Sequence, residues 1–461
     1  MSWNIVIAGG GFGGFYAARR LEKILPRQSA RVTLVSDVNF MLYTPLLPGA
    51  AAGTLEPRHV VVPLREELDC TDIRLGHVTG IDTGANRLDY TTLDGRDEKL
   101  SYDQLIFAIG SVSRVMPIPG LADHGLGFKT ISEAVALRNR ALTNLEIAES
   151  LDSAAERAPY LTFVFVGAGY AGVEGFAELQ DYVATVIDRY PRCRMDGTRW
   201  VLVEAQERIM YEIPHDLADF AGRELRARGC EILTSTRVNR IEEAEVELST
   251  GEVVPCRTVC WTAGVKPPKL VRDIGFPLEE HGRIEVDRSM RVKGLSNVWA
   301  IGDSAAVPDP AAGYKRPSPP TCQHALRQGK LAADNVAAEL GHGEVKDFKY
   351  KTLGVFVDMG RHKAVATMLG VKLRGFPAWF AARTYHMAVM PGTARKLRLI
   401  ADWTVDLLFG RDPAELGQLG HPPSLKGFLD TPQQEPLGVE NSASDGHGND
   451  AEASRAAARS G

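Results

Sequence analysis

The segment Gly9-Gly10-Gly11-Phe12-Gly13-Gly14 decides the fold of this chain. It follows a short apolar run, Asn4 to Ala8, and precedes an alanine-rich stretch. This pattern predicts a buried strand, a tight turn and a helix. The first glycine permits the turn, the second lets the backbone approach a pyrophosphate, and the third lets strand and helix pack closely. The start of the helix adds unpaired N–H groups and a partial positive charge, which favour an anion.

The same pattern occurs a second time. Gly167-Ala168-Gly169-Tyr170-Ala171-Gly172 follows the apolar run Leu161 to Val166. Glycine-rich turns are common, so one match alone would be weak evidence. Two matches favour two dinucleotides bound by one polypeptide. We therefore predict an α/β fold with two Rossmann-like dinucleotide-binding domains.

Composition and charge exclude several other classes. A formal net charge of -5 over 461 residues argues against a nucleic-acid-binding protein. The 6 cysteines are scattered and form no CxxC pair, so we expect a reducing compartment, no disulfide framework and no metal site. The first strand begins almost at the N-terminus, which predicts no signal or transit peptide. No run of eighteen uncharged apolar residues occurs, so we expect no membrane-spanning helix.

The chain divides by its patterns into five parts. A strand that ends in Gly302-Asp303, after the second glycine-rich unit, predicts that the first domain is completed there and that the second domain is inserted into it. Residues after 346 differ in charge and aromatic content, and the end of the chain is rich in serine, alanine, glycine and acids, which predicts disorder. The expected parts are 1–118 and 285–345 for the first domain, 119–284 for the second, 346–430 for a C-terminal helical region and 431–461 for a disordered tail.

Most of the core elements are also predicted from apolar runs and helical periodicity. The expected strands are Asn4–Ala8, Arg31–Val35, Leu105–Ile109, Leu161–Val166, Trp200–Val203 and Thr258–Thr262, and the expected helices are Gly13–Ile24 and Ser132–Leu151.

An acid after the second strand of a nucleotide unit commonly accepts hydrogen bonds from the adenosine ribose. In the second unit this position is Glu204. Its carboxylate would repel a ribose phosphate, which favours NADH over NADPH. The separation from Gly172 exceeds the usual spacing of about 20 residues, so a longer connection is expected. The alternative is an ordinary glutamate at a strand end in solvent.

The first unit is less regular. Ser36 occupies the in-register position and Asp37 follows it, and either side chain can bond a ribose hydroxyl. Asp303 follows a strand and a glycine, where a carboxylate can accept a hydrogen bond from the ribityl chain of a flavin. Its alternative is a helix N-cap. The two glycine-rich segments together favour the flavin.

Five segments, in this order, resemble the type II NADH dehydrogenases, which are FAD-dependent NADH:quinone oxidoreductases. They are Gly9–Gly14, Asn39–Pro48, Gly167–Glu174, Ala300–Asp303 and Pro320–Gly329. The resemblance covers about residues 3 to 412. The glycine-rich segments are shared by a whole flavoprotein superfamily, whereas the pattern Pro-Thr-x-Gln-x-Ala-x-x-Gln-Gly is more specific.

The resemblance implies two cofactor sites and three catalytic residues. The FAD site would comprise Gly9, Gly11, Gly14, Ser36 or Asp37, Pro45, Ala108, Gly110, Asp303 and Ala325, and the NADH site Gly167, Gly169, Gly172, Glu204 and Gly264. Glu174 resembles a family glutamate near the nicotinamide and flavin, Gln323 a residue beside flavin and quinone, and Lys351 a quinone-side lysine. The alternatives are a carboxylate placed favourably in a first helical turn, a glutamine that bonds only to backbone, and a surface lysine.

The cysteines separate this chain from relatives with other acceptors. Flavoprotein disulfide reductases place a closely spaced cysteine pair after the second strand, and Asp37 to Arg58 contains no cysteine. Cys322 stands where alanine is frequent, and Ser36 stands where an acid is often found. We therefore expect the electrons to leave the flavin for a diffusible acceptor or an external protein.

The C-terminal region reverses the sign of the overall charge. Arg361 to Arg398 contains eight lysines and arginines and no acid. The overlapping segment Arg395–Phe409 places apolar residues near one helical face, namely Leu397, Ile400, Thr404, Leu407 and Leu408. Basic and apolar faces together are typical of a helix lying in a membrane interface. A homodimer interface and a helix packed on the first domain are the alternatives.

We therefore expect a non-proton-pumping NADH:quinone oxidoreductase. It would lie peripherally on the cytoplasmic face of the cell membrane, with a membrane quinone as acceptor. Two alternatives stay open: a soluble FAD-dependent NADH reductase of a small electron-carrier protein, and an NADH-sensing flavoprotein whose reduced state alters partner binding.

Overall fold

The computed structural model describes residues 2–26, 28–352 and 354–417. The chain up to Glu415 forms one compact unit. The tail predicted to be disordered, 431–461, lies outside the described residues, as do the last residues of the predicted C-terminal region.

The helices and strands are numbered here in chain order. The α-helices are α1 Phe12–Ile24, α2 Leu47–Ala51, α3 Leu64–Glu67, α4 Leu121–His124, α5 Ile131–Ser150, α6 Ala154–Arg157, α7 Tyr170–Val186, α8 Pro191–Asp196, α9 His215–Arg226, α10 Leu270–Asp273, α11 Cys322–Glu339, α12 Phe376–Val389 and α13 Thr393–Phe409. The strands are β1 Trp3–Ala8, β2 Ala30–Ser36, β3 Phe40–Leu42, β4 Val61–Pro63, β5 Asp72–Asp82, β6 Arg87–Thr92, β7 Asp97–Ser101, β8 Gln104–Phe107, β9 Val112–Ser113, β10 Gly125–Gly127, β11 Thr162–Val166, β12 Arg199–Val203, β13 Glu231–Leu233, β14 Val238–Ile241, β15 Glu245–Leu248, β16 Val253–Pro255, β17 Thr258–Trp261, β18 Val265–Lys266, β19 Ile284–Glu285, β20 Val298–Ala300, β21 Ala305–Ala306, β22 Gly354–Asp358, β23 Ala364–Met368 and β24 Val371–Gly375.

The first sheet has the order β20-β8-β1-β2-β5-β6-β7. Its nucleotide-binding half is parallel, since β1 pairs with β2 and β8, and β8 pairs with β20. The edge strand β20 thus comes from the far side of the inserted unit, as the sequence predicts. The antiparallel strands β6 and β7 extend the other edge and were not predicted from the sequence.

The second sheet has the order β10-β17-β11-β12-β13 and is parallel throughout. Its central strand β11 is buried along its whole length, as expected for a sheet covered on both faces. The connection from α7 to β12 contains a 3-10 turn and the short helix α8. This connection accounts for the long separation between Gly172 and Glu204.

Two segments connect the sheets, and they pair with each other. The short strands β9 and β18 are antiparallel, with Val265 opposite Ser113. The Arg114 N–H also donates to the Gly264 carbonyl, with an N–O distance of 3.0 Å. On this connectivity we propose the boundaries 1–118, 119–284 and 285–345 for the two nucleotide domains.

The C-terminal region is only partly helical, so the sequence prediction is incomplete there. The strands β22, β23 and β24 form an antiparallel sheet before α12 and α13 begin. Strand β22 lies against α7, and β23 lies against α9. Of the three strands only β24, Val371-Lys372-Leu373-Arg374-Gly375, alternates apolar and cationic residues. The helical prediction rests on the charge and aromatic content of the region, which do not specify strand pairing. Over the described residues, no helix is long and apolar enough to cross a bilayer.

Helices α1 and α11 pack closely because glycines face each other. A Cβ atom added to Gly329 of α11 would lie 2.2 Å from the Gly13 carbonyl oxygen of α1. The contacting atom belongs to the backbone, so it cannot move without shifting the helix. This contact holds α11 against the helix that follows the first glycine-rich loop.

We predict that Gly329→Ala destabilises the protein by about 1–3 kcal/mol, because the added methyl forces α11 away from α1. Thermal unfolding of purified protein measures the effect. Gly84→Ala is the matched control, since its Cβ would meet only the Asp82 side chain, at 3.5 Å. Equal unfolding midpoints for the two variants would contradict the proposed packing constraint.

Candidate active site

The two glycine-rich loops have the same construction. Gly9 and Gly167 take φ angles of 104° and 100°, which only glycine adopts readily. A Cβ on Gly14 or on Gly172 would lie 1.9 Å from the carbonyl oxygen of the first glycine of its own loop. The first and third glycines are therefore required by conformation and by close packing.

The middle glycines face open space. A Cβ atom at Gly11 or Gly169 would have no neighbour within 4 Å. Each of these glycines is the N-cap of its helix, α1 or α7, and neither helix has a side-chain cap. The free N–H groups of both helix starts thus face a space that a phosphate group fits.

Glu204 lies at the loop of the second unit. Its carboxylate accepts hydrogen bonds from the Ala168 N–H, at 2.6 Å, and from the Gln206 N–H, at 2.8 Å. The side chain is partly buried, so it is not a free glutamate in solvent. The geometry holds a negative charge beside the glycine loop, where the ribose of a bound dinucleotide lies in this fold.

Ser36 is the structural equivalent of Glu204. Each follows a strand residue whose carbonyl accepts from the first glycine of its loop, Val35 to Gly9 and Val203 to Gly167. The Ser36 hydroxyl is buried and donates to the Val38 carbonyl, at 2.8 Å. Asp37 instead is exposed and pairs with His77, at 3.1 Å.

Asp303 lies on a short 3-10 helix that follows β20. Its Oδ2 atom accepts from the Ser111 hydroxyl, at 2.6 Å, and lies 3.9 Å from the Lys129 Nζ. The neighbouring Gly110 has a φ of 71° and open space at its Cα. In the described chain no long helix follows Asp303 directly, since α11 begins only at Cys322.

A cavity of about 590 Å³ opens between α1, α11 and the two C-terminal helices. Pro45, Cys322 and Gln323 lie on its wall. The Gln323 amide is fixed in place: its Oε1 accepts from the Tyr350 hydroxyl at 2.7 Å, and its Nε2 donates to the Gly354 carbonyl at 3.2 Å. The cavity lining thus includes a polar group that two hydrogen bonds hold in place.

Tyr43 and His386 form a hydrogen-bonded pair on the same wall. The Tyr43 hydroxyl lies 3.2 Å from the His386 Nδ1. Burial lowers the pKa of His386 to about 4 and raises that of Tyr43. Both groups are therefore neutral at physiological pH. His386 and Pro45 also line a second, smaller cavity, so these residues separate the two spaces.

The smaller cavity is lined by three carboxyl groups, Glu174, Glu178 and Asp358. The Glu174 Oε1 accepts from the Asp358 N–H, at 3.0 Å. Burial raises the pKa of Glu174 well above its ordinary value and raises that of Glu178 to about 8. Burial likewise raises the pKa of Asp358, whose carboxyl group lines the same cavity as that of Glu178.

Two arginines limit the negative charge of this cluster. Arg383 lines the small cavity and lies over the ring of Trp379, 4.2 Å from its centroid. Arg411 follows α13 and contacts Asp181 at 2.8 Å and Glu178 at 3.8 Å. The Glu178 Oε2 has no hydrogen-bond partner among the described residues. Because this carboxyl group is buried and one of its oxygens has no hydrogen-bond partner in the described chain, its protonated form is favoured over its charged form.

The four remaining predicted residues lie in four different places. Ala108 is buried beneath the first loop, where its carbonyl oxygen would be 2.3 Å from a Cβ on Gly9. Ala325 is buried at the start of α11, and Gly264, with a φ of 94°, faces open space beside β18. Lys351 is exposed and lines neither cavity, although its neighbour Tyr350 bonds Gln323. Its role stays a prediction.

The partners of Glu174 were not predicted from the sequence. Glu178 follows it by four residues on α7, and this spacing places both on one helix face. The spacing of Glu174 and Glu178 in the sequence is therefore sufficient to predict that these two carboxyl groups lie together. Asp358, Arg383 and Arg411 come from distant segments, and no local pattern in the sequence connects them to α7.

Three comparisons with known proteins agree with this architecture. The model of the pyridine nucleotide-disulphide oxidoreductase family matches residues 3–329. The type II NADH:quinone oxidoreductase Ndh of Mycobacterium tuberculosis is 31% identical over 431 residues, covering 88% of this chain and 89% of that protein. The demethylphylloquinone reductase NdbB of Synechocystis is 30% identical over 407 residues, covering 87% of this chain and 95% of that protein.

A solved structure has the same fold. NDH2 from Plasmodium falciparum, in complex with NADH, superposes with a TM-score of 0.83 at 18% identity, covering 90% of this chain and 100% of that one. The duplicated loops, the inserted second sheet and these relatives lead to one assignment. The chain belongs to the pyridine nucleotide-disulphide oxidoreductase family and, within it, to the type II NADH:quinone oxidoreductases.

Proposed function

We propose that this protein oxidises NADH through a bound FAD and reduces a membrane quinone. The observation that carries the proposal is the pair of equivalent glycine loops together with a cavity bounded by Gln323. When bound, FAD supplies the redox chemistry, taking a hydride from NADH and giving two electrons to the quinone. The residues of the protein bind and orient FAD, NADH and the quinone, and they supply protons.

The FAD is assigned to the first loop. Its pyrophosphate fits the open space at Gly11 and the free N–H groups of α1, while Gly9 and Gly14 keep the loop close to the helix. Asp303 is proposed to accept from the ribityl chain, with Ser111 and Lys129 holding its carboxylate. We also assign the flavin ring to the neighbourhood of Pro45, Ala108, Gly110 and Ala325, and the adenosine ribose to Ser36 or Asp37.

NADH is assigned to the second loop. Its pyrophosphate fits the space at Gly169, and Glu204 is proposed to accept from the adenosine ribose. Gly264 closes the far side of this site, next to the paired segments that connect the two sheets. The negative charge on Glu204 disfavours the extra phosphate of NADPH.

The quinone is assigned to the large cavity. Its volume of about 590 Å³ is sufficient for a substituted ring. Gln323 and the Tyr43–His386 pair supply polar groups there, and each of them is fixed by a hydrogen bond. Lys351, which is exposed and lines neither cavity, is proposed only as a positive charge on the quinone side of the site.

Glu174 is proposed to bind and release protons near the nicotinamide and flavin rings. Its raised pKa lets the carboxyl group hold a proton at neutral pH and release it to a stronger base. Glu178 and Asp358 are the next proton-holding groups, since burial raises the pKa of both carboxyl groups. Glu174, Glu178 and Asp358 together form a cluster of proton-binding carboxyl groups beside the small cavity.

Membrane attachment is proposed to use α12 and α13. Several large apolar side chains of these helices are exposed, namely Phe376, Phe380, Leu397, Ile400, Val405, Leu407, Leu408 and Phe409. This is the pattern of a helix lying in a bilayer interface. We place the protein at the cytoplasmic face of the cell membrane. A homodimer interface is the alternative use of the same face.

The acceptor specificity tests the proposed function. We expect NADH to bleach the flavin of the purified protein, and a short-chain menaquinone or ubiquinone to restore its colour rapidly in stopped-flow measurements. Ferricyanide serves as the control for an intact flavin site. Slow reoxidation by every quinone would contradict the proposal and favour an NADH-sensing flavoprotein. Rapid reoxidation by a small electron-carrier protein alone would favour the reductase alternative.

Exchanging Glu204 for glutamine is expected to narrow the preference for NADH over NADPH by about tenfold, because the variant loses the charge that repels the ribose phosphate. The amide keeps an oxygen that accepts from the Ala168 N–H, so the loop stays folded. The ratio of kcat/KM for the two nucleotides measures the effect. An unchanged ratio would remove Glu204 from the ribose site.

Glu178 makes stability depend on pH in a defined direction. Its folded-state pKa, about 8, exceeds the ordinary 4.5, so the folded protein binds this proton more tightly than the unfolded chain. The resulting stabilisation of the folded state is complete below the ordinary pKa of 4.5. It is lost as the pH rises through the folded-state pKa of about 8. Its size is on the order of 5 kcal/mol.

We predict that Glu178→Gln flattens the decline in thermal stability between about pH 5 and about pH 9. Unfolding midpoints across that range provide the measurement. Glu207→Gln is the matched control, since Glu207 is exposed. Parallel curves for the wild type and the Glu178 variant would show that this carboxyl group does not hold the proton.

A further inference from the structure

Four cations line the large cavity: Arg19, Arg327, Lys330 and Lys396. Its described lining contains no carboxylate. Arg19 is neutralised by Glu67, at 3.4 Å. The other three have no carboxylate within 4.0 Å in the described ranges 2–26, 28–352 and 354–417.

These three cations are held by groups that leave their charge intact. The Arg327 guanidinium lies 4.1 Å from the centroid of the Tyr350 ring and donates to the Gln323 carbonyl, at 3.0 Å. Lys330 Nζ lies 5.2 Å from the Tyr16 ring centroid. Lys396 donates to the Ala388 carbonyl, at 2.9 Å. Aromatic faces and carbonyl oxygens orient the cations without neutralising them.

The surrounding charges make this cluster unfavourable without an anion. Burial lowers the pKa of Lys330, and the positive charges of Arg327, Arg19, Arg20 and Lys23 lower it further. Like charges that line one cavity repel one another. A bound anion would offset that repulsion and would find cationic donors in the cavity lining.

An apolar surface lies directly beside the cations. Leu397 follows Lys396 in α13 and lies one helical turn after Thr393, which lines the cavity. Leu397 is 62% exposed, and Ile400, on the same face, is 43% exposed. Free phosphate has no apolar group that could contact this surface, whereas a phospholipid carries a phosphate and acyl chains in one molecule.

We propose that Arg327, Lys330 and Lys396 bind the phosphate of an anionic phospholipid at the mouth of the large cavity. The acyl chains of the lipid lie along Leu397 and Ile400. The inference rests on the membrane attachment argued under the proposed function and adds a specific headgroup site to it. A lipid bound there orients the mouth of the cavity toward the bilayer from which a quinone enters.

Vesicle flotation of the full-length protein with its flavin bound tests this site. One set of vesicles contains phosphatidylcholine alone, and the other contains an added fraction of phosphatidylglycerol. The variant Lys330→Gln with Lys396→Gln removes two of the three cations. The matched control is Lys99→Gln with Lys315→Gln, because both of these lysines are exposed and neither lines the cavity. Flavin absorbance and ferricyanide reduction verify that each variant is folded.

We expect the wild type and the control to bind the anionic vesicles with similar affinity, and the cavity variant to bind them about 20-fold to 30-fold more weakly. Binding to phosphatidylcholine vesicles is expected to be the same for all three proteins. If the cavity variant binds anionic vesicles as tightly as the control, the headgroup site is wrong while membrane attachment stands. If the wild type binds neither vesicle, both the headgroup site and the membrane attachment are wrong.

Discussion

The structure depends on a close approach between a helix start and the strand that precedes it. At Gly14 and at Gly172 a single added carbon would lie 1.9 Å from a backbone oxygen. Because no side chain fits there, each loop is held tight against its sheet and its free N–H groups face outward. The same constraint is used twice, and the two sheets it serves are joined by two segments that pair with each other. This arrangement brings two nucleotide sites onto one polypeptide.

A second constraint comes from charges that the protein buries. Glu174, Glu178 and Asp358 lie around a small cavity, where burial favours their protonated forms. Arg383 and Arg411 keep the cluster from becoming a bare concentration of negative charge. The large cavity has the opposite sign, since its charged lining residues are cations. Proton-holding groups thus lie on one side of the Tyr43–His386 pair, and an anion-attracting mouth lies on the other.

The sequence predicted the parts of the fold that local patterns specify. The glycine loops, the central strands and α5 agree with their expected positions to within about two residues, because apolar runs and glycine spacing are local signals. The strands β22, β23 and β24 were missed, since their pairing depends on contacts with one another and with α7 and α9. At the site, Glu204 lies beside its loop as expected. Asp358 and Arg411 reach the cluster through tertiary contacts that no spacing in the sequence encodes.

The most direct measurement is the cofactor content of two loop variants of the purified protein. In Gly11→Val the added side chain fills the phosphate space of the first loop, and in Gly169→Val it fills that of the second. Absorbance after denaturation counts the flavin per chain, and anaerobic NADH titration reports its reduction. We expect a colourless Gly11 variant, and a yellow Gly169 variant whose flavin is no longer bleached by NADH at concentrations that bleach the wild type. A yellow Gly11 variant, or a Gly169 variant that NADH bleaches normally, would contradict the assignment of one nucleotide to each loop.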